Sequence, residues 1–148
     1  MPTHSEERQL PYTATQMYEL VVDIEKYPEF LPWCSAARVR SREVHEKNEI
    51  MLADLVIKFK AFSERFGSKV ILYKDSKKIK TEYLDGPFKF LKSSWEFTDN
   101  EGIGCNVKFF VDFEFKSRFF QKIIGIFFNE AMQRIVRAFE KRAKDLYS

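Results

Sequence analysis

The stretch Val107-Lys-Phe-Phe-Val-Asp-Phe-Glu-Phe-Lys-Ser-Arg-Phe-Phe-Gln-Lys-Ile-Ile124 (VKFFVDFEFKSRFFQKII) changes its apolar period in mid-course. Before Lys116, Val107, Phe109, Val111, Phe113 and Phe115 alternate with Lys108, Phe110, Asp112 and Glu114. That is the period of a strand with one apolar face and one mostly wetted face. Beyond Ser117, which is placed to cap a helix, Phe120, Ile124, Phe127, Phe128, Ala131, Ile135, Phe139 and Leu146 recur at helical spacing, with no proline before Tyr147. About thirty residues at roughly 1.5 Å each give a helix of about 45 Å, long enough to cross a small sheet. The junction predicts a last antiparallel strand followed by a long helix folded back over the apolar face.

Upstream strands carry the same alternation. Leu91, Ser93, Trp95 and Phe97 form one set, and Ala53, Leu55, Ile57 and Phe59 another. Turn residues recur at Glu46–Asn48, Lys60–Phe62, Lys74–Lys77, Asp85–Pro87 and Asp99–Gly102, so Ala36 to Phe115 reads as an antiparallel meander. Residues 3 to 10 read as a further short strand. Thr13 then caps a helix with Met17, Leu20, Val21 and Ile24 on one face, expected to end near Tyr27 because Pro28 disfavours helical backbone in the residue before it. The apolar corner Glu25 to Ser35 (EKYPEFLPWCS) follows, where Pro32 limits any helix to a turn. The expected fold is α+β: a curved antiparallel sheet gripping a long C-terminal helix, in one domain spanning 1–148.

Sixteen phenylalanines against five glycines require a wide core or a lined cavity. A net charge of +3 from interspersed residues gives too weak a field to argue for nucleic acid, and no DNA partner is expected. Cys34 and Cys105 form no C-x-x-C and suit a reducing compartment, with no disulfide framework. The polar start MPTHSEERQL carries no secretion signal, so a cytoplasmic chain is expected, with peripheral contact at the inner membrane left open. Phe119 to Phe128 is about half the roughly 20 apolar residues a span requires. His4 and His45 are expected to be solvated and without a role, and no metal pair or catalytic motif is present.

Three groups invite a functional reading. The first half of the last helix is apolar nearly all round, which requires thicker packing, a cavity wall or a lipid contact. Its second half presents Gln133, Arg134, Arg137, Glu140, Lys141 and Lys144 on a polar face. Counting back by two from Phe66 puts Glu64 on the inner face, as a headgroup holder, a general base or a rim residue paired with Arg65 or a lysine. Arg38, Arg40 and Arg42 alternate along one strand; with Arg134, Arg137 and Lys141 they form basic rows suited to rRNA phosphates or anionic lipid headgroups, or simply to solvent.

The segments Tyr27–Cys34 (YPEFLPWC), Glu64–Phe66, Gly86–Lys89, Trp95–Phe97 and Phe113–Ser117 resemble, in this order, the coenzyme Q-binding branch of the START-like polyketide cyclase/dehydrase and lipid transport superfamily. The resemblance implies a helix-grip fold with a hydrophobic tunnel between sheet and last helix. It implies non-enzymatic binding of ubiquinone or a similar polyprenyl lipid in support of respiratory electron transport, with no catalytic cofactor. Leu31, Pro32 and Trp33 then correspond to the tunnel lip, and Trp95 to the central-strand tryptophan. The tail would pack on Leu55, Ile57, Phe66, Phe113, Ile124 and Phe128, with the headgroup near Trp33, Trp95 or Glu64. Bacterial members of the RatA type imply the alternative, a toxin of toxin-antitoxin type that binds the large ribosomal subunit and blocks subunit association. An aromatase or cyclase using Glu64 or Asp54 as base and Tyr83 as acid is the third expectation.

Overall fold

A computed structural model of the chain describes residues 3–59 and 62–147, excluding the side chains of Phe62 and Phe127. In chain order it contains β1 (Thr3–Leu10), α1 (Ala14–Val22), a 3-10 helix (Ile24–Glu29), β2 (Cys34–Val44), β3 (Glu49–Phe59), β4 (Phe62–Tyr73), β5 (Lys78–Asp85), β6 (Phe88–Asp99), β7 (Cys105–Phe115) and α2 (Arg118–Tyr147). The strands form one seven-stranded sheet in the order β1-β7-β6-β5-β4-β3-β2, antiparallel at every pairing. The expected meander is therefore β2 to β7, and β1 adds beside β7. Of the expected turns, the one at Lys60–Phe62 lies outside the described residues at Lys60 and Ala61.

Local chemistry sets the element ends. Gln16 N–H donates to Thr13 Oγ1 and Thr13 N–H donates to Gln16 Oε1, both at 3.0 Å, a capping box that starts α1. The α-helix stops at Val22, earlier than expected, and a 3-10 helix carries the chain through Pro28. The Tyr27 hydroxyl reaches back to donate to the Val21 carbonyl, supplying one of the partners that a helix end lacks. That bond favours the early stop.

Ser117 does cap α2, with Phe120 N–H donating to its Oγ at 3.4 Å, and Gln121 Oε1 accepts from Phe115 N–H at 2.8 Å. The helix start is thus tied to the end of β7. On the inner face of the sheet, Phe66, Ser68, Val70, Leu72, Ile79, Trp95, Phe97 and the alternating residues Val107 to Phe115 are buried. From α2, Phe128, Met132, Val136, Phe139 and Ala143 close over them. Leu146 was expected on this face but is 53% exposed. The inward position in that last turn belongs to Tyr147, whose hydroxyl donates to the Gln16 carbonyl at 3.1 Å. Phe127, expected in the same stripe, lies outside the described side chains.

Candidate functional site

Cover over the inner face is uneven. α2 lies against β7, β1 and α1. There the aromatic floor is dense: Trp95 sits 4.4 Å from Phe109 and 5.0 Å from Phe139, ring centre to centre, and Phe113 sits 5.3 Å from Phe128 and 5.6 Å from Phe88. Toward β3 the cover thins. Leu55 and Ile57 point inward, continuing the row begun by buried Met51 and Ala53, yet remain only partly buried. Leu31, Phe120 and Ile124 share that state, and all five pack against the core. The inner face is therefore closed over most of its area, with a half-buried apolar rim toward the end where β3 finishes.

The expected ligand residues divide along this line. Phe66, Trp95, Phe113 and Phe128 belong to the buried floor. Leu31, Pro32, Trp33, Leu55, Ile57 and Ile124 form the half-buried rim. Trp33 has φ 63°, a left-handed conformation that costs a non-glycine residue roughly 1–2 kcal/mol. Its carbonyl accepts from Lys58 N–H at 2.8 Å and its ring lies edge-on to Phe59 at 6.1 Å. The lip is thus fixed to the end of β3. Glu64 has the predicted facing, opposite Ile57 in the ladder, but the strand end is open and the carboxylate is exposed. Water solvates it there, so it needs no partner.

Two other expectations are corrected. Arg38, Arg40 and Arg42 do not share a face, because a β-bulge falls between Val39 and Ser41. The extra residue reverses the alternation. Arg38 opposes outward-facing Asp54, whereas Arg42 opposes inward-facing Met51. Arg40 pairs with Asp54 at 3.2 Å and Arg42 with Glu49 at 2.6 Å. Asp54 itself is on the outer face, also bound by Arg65, so it cannot act as a base inside the sheet. Tyr83 does point inward, where its hydroxyl oxygen accepts from Phe88 N–H at 3.1 Å. The bulge also shapes a cleft of about 500 Å³ between β2 and the end of α1, lined by Glu19, Asp23, Glu25, Arg40, Arg42 and neighbours. No sequence signal announced it.

His4, expected to be solvated, is 9% exposed beneath α2. Its ring packs near Phe109 and Phe128, and its Nε2 lies 3.1 Å from Glu6 Oε1. Arg8 donates to Glu6 at 2.8 Å and to Glu140 of α2 at 2.7 Å. The inner face of β1 is therefore a polar ribbon holding α2, and Glu140 is a tether rather than part of a solvated face. His45 is exposed and lies 3.4 Å from Glu43. Burial, with the Asp99 carboxylate nearby, pushes the Cys105 thiol up to about 11, and burial raises Cys34. Both stay protonated at neutral pH, opposite to the needs of a thiolate nucleophile. Among the described residues, no group of three or more His, Cys, Asp or Glu side chains could hold a metal ion, and no helix is long and apolar enough to cross a membrane.

With this geometry in place, comparison with known proteins is decisive for the family. The sequence profile of polyketide cyclase / dehydrase and lipid transport proteins matches residues 10–140. The chain belongs to this family. A Rickettsia prowazekii protein named ribosome association toxin RatA is 40% identical over 144 residues, covering 93% of this chain and 92% of that one. A Xenopus laevis protein named coenzyme Q-binding protein COQ10 homolog B, mitochondrial, is 31% identical over 148 residues, covering 97% of this chain and 59% of that protein. The solution structure of an 18 kDa Caulobacter crescentus protein superposes with a TM-score of 0.82 at 33% identity, covering 99% of both chains. A Streptomyces aromatase/cyclase superposes at 0.80 with 11% identity over 96% of this chain and 93% of that one, a likeness of fold alone.

Proposed function

We propose that the chain holds a polyprenyl lipid of the ubiquinone class, without catalysing a reaction, between the β3–β4 side of the inner face and the first half of α2. It would chaperone that lipid in support of respiratory electron transport. The observation that carries this reading is the half-buried apolar rim of Leu31, Leu55, Ile57, Phe120 and Ile124 beside a fully buried aromatic floor. Each methylene that a lipid tail buries against such a rim contributes roughly 0.8 kcal/mol, so a long tail binds with few polar contacts. The headgroup sits by Trp33 and Glu64 at the open end. Deeper contact with Phe66, Phe113, Phe128 or Trp95 requires their rings to part. The name of the Xenopus relative supports the ligand class.

The test is organic extraction and mass spectrometry of protein purified from a quinone-producing host. Parent protein is expected to carry quinone, and Ile124→Glu, at a half-buried position that tolerates a charge, is expected to lose it while remaining folded. A folded Ile124→Glu that retains quinone, or a parent that carries none, removes the reading.

A second reading is supported by the name of the Rickettsia relative and by the exposed basic stripe of Arg134, Arg137 and Lys141 on α2. In that reading the stripe binds the large ribosomal subunit. Cosedimentation with that subunit should then fall steeply with salt and disappear when all three residues become glutamate. Sedimentation unchanged by the triple substitution would sink this second reading.

A further inference from the structure

The end of the sheet at which α2 begins exposes apolar side chains that the core does not use. Phe119 is 68% exposed and Ile126 71%, and they lie on one stripe of α2 with Lys122 between them. Phe59, at the end of β3, and Leu84, at the end of β5, are exposed at the same end, where β3 and β5 finish, β4 and β6 start and β7 runs out into α2. These residues are not loose ends. The helix start is fixed by the Ser117 cap, by Gln121 on Phe115 N–H, and by Lys116 N–H donating to the Pro87 carbonyl at 2.8 Å.

The charge around the stripe is one-sided. Lys58, Lys116, Arg118 and Lys122 are exposed and make no ion pair among the described residues. The nearby acids are mostly engaged: Glu114 with Lys89 at 2.9 Å, and Asp85 with Arg65 at 2.7 Å. Glu130, one turn beyond Ile126, pairs with Arg134 at 3.0 Å, and Glu64 is a further exposed carboxylate of this end. Anchored apolar side chains ringed by uncompensated cations match an anionic lipid interface, where the apolar groups enter the acyl boundary and the cations meet phosphates.

We propose that this end of the molecule docks on an anionic bilayer surface, Phe119 and Ile126 entering it and Lys58, Lys116, Arg118 and Lys122 contacting lipid phosphates. The surface is distinct from the half-buried rim assigned above to the lipid tail, to which Ile57, Trp33 and Ile124 belong. Docking and lipid retention can therefore fail separately.

Flotation with quinone-free vesicles tests it, using phosphatidylcholine alone and phosphatidylcholine with phosphatidylglycerol in equal parts. Binding is expected to the mixed vesicles only, and to weaken as salt is raised. Arg118→Glu with Lys122→Glu should weaken it by at least about fivefold per residue, because each cation near such a surface contributes about that factor. Phe119→Ser should weaken it by roughly tenfold, and because the position is exposed the thermal melt should not move. Equal binding to both vesicle types, binding indifferent to these substitutions, or no binding to either overturns the proposal. So does a dimer in solution that Phe119→Ser dissociates, which would assign the stripe to a second copy of the chain.

Discussion

Cys105 is fully buried at the start of β7, and burial with the Asp99 carboxylate shifts its thiol from an ordinary 9.0 to about 11. The folded chain therefore holds this proton more tightly than the unfolded chain. The stabilisation is complete below pH 9 and is lost as the pH rises through about 11. The urea midpoint of the parent should decline across that window, and that of Cys105→Ala should decline less. Parallel curves would remove Cys105 as the source. His4 is the opposite case, a residue whose place the sequence conceals. Strand β1 reads His4-Ser-Glu-Glu-Arg-Gln-Leu10, polar on both faces, so no alternation marks which face α2 covers. Only its pairing beside β7 puts His4, Glu6 and Arg8 under the helix.

At the scale of elements, the turn between β5 and β6 is a tight fit against Phe66 of the buried floor. Gly86 has φ +138°, and a Cβ there would lie 2.6 Å from Phe66 Cβ and 2.8 Å from its Cα. Gly86→Ala should cost about 1–3 kcal/mol, read as a lower thermal midpoint, because neither the φ nor the Phe66 backbone can yield cheaply. A melt equal to that of the parent would mean that the turn relaxes. Alternation in β7, β6 and β3, the Thr13 and Ser117 caps and the long proline-free segment made most elements legible. The bulge in β2 was not, since this edge strand has few apolar residues to pin its register and its arginines alternate with residues that tolerate either face. Met132 was not read as inward because the first half of α2 is apolar around most of its circumference, and Val136 because its neighbour Ile135 fits the same helical spacing.

For the whole molecule, the consequence of uneven cover is linkage between ligand and stability. A lipid held at the half-buried rim binds the folded chain alone. At about a hundredfold excess over its dissociation constant it adds roughly 2.7 kcal/mol. For a chain of this size that is a rise of several degrees in melting temperature, measurable by comparing quinone-loaded with stripped protein. Ile124→Glu should show no such rise, and equal melting of loaded and stripped parent would place the lipid elsewhere. The family and fold were readable from matched segments and periodicity. The division of the expected tunnel residues into floor and rim was not, since burial depends on where α2 crosses, and no local pattern encodes that crossing.

Strand order has one further consequence, for vectorial synthesis. Thr3 and Asp112 are bonded across 109 positions of the chain, so β1 has no neighbour until β7 emerges. The phenylalanines of the inner face stay uncovered until α2 follows. Until β7 and α2 emerge, the nascent chain is a partial sheet with a bare greasy surface and an unpaired first strand, a state prone to self-association. The helix that follows β7 is the one that ends this exposure.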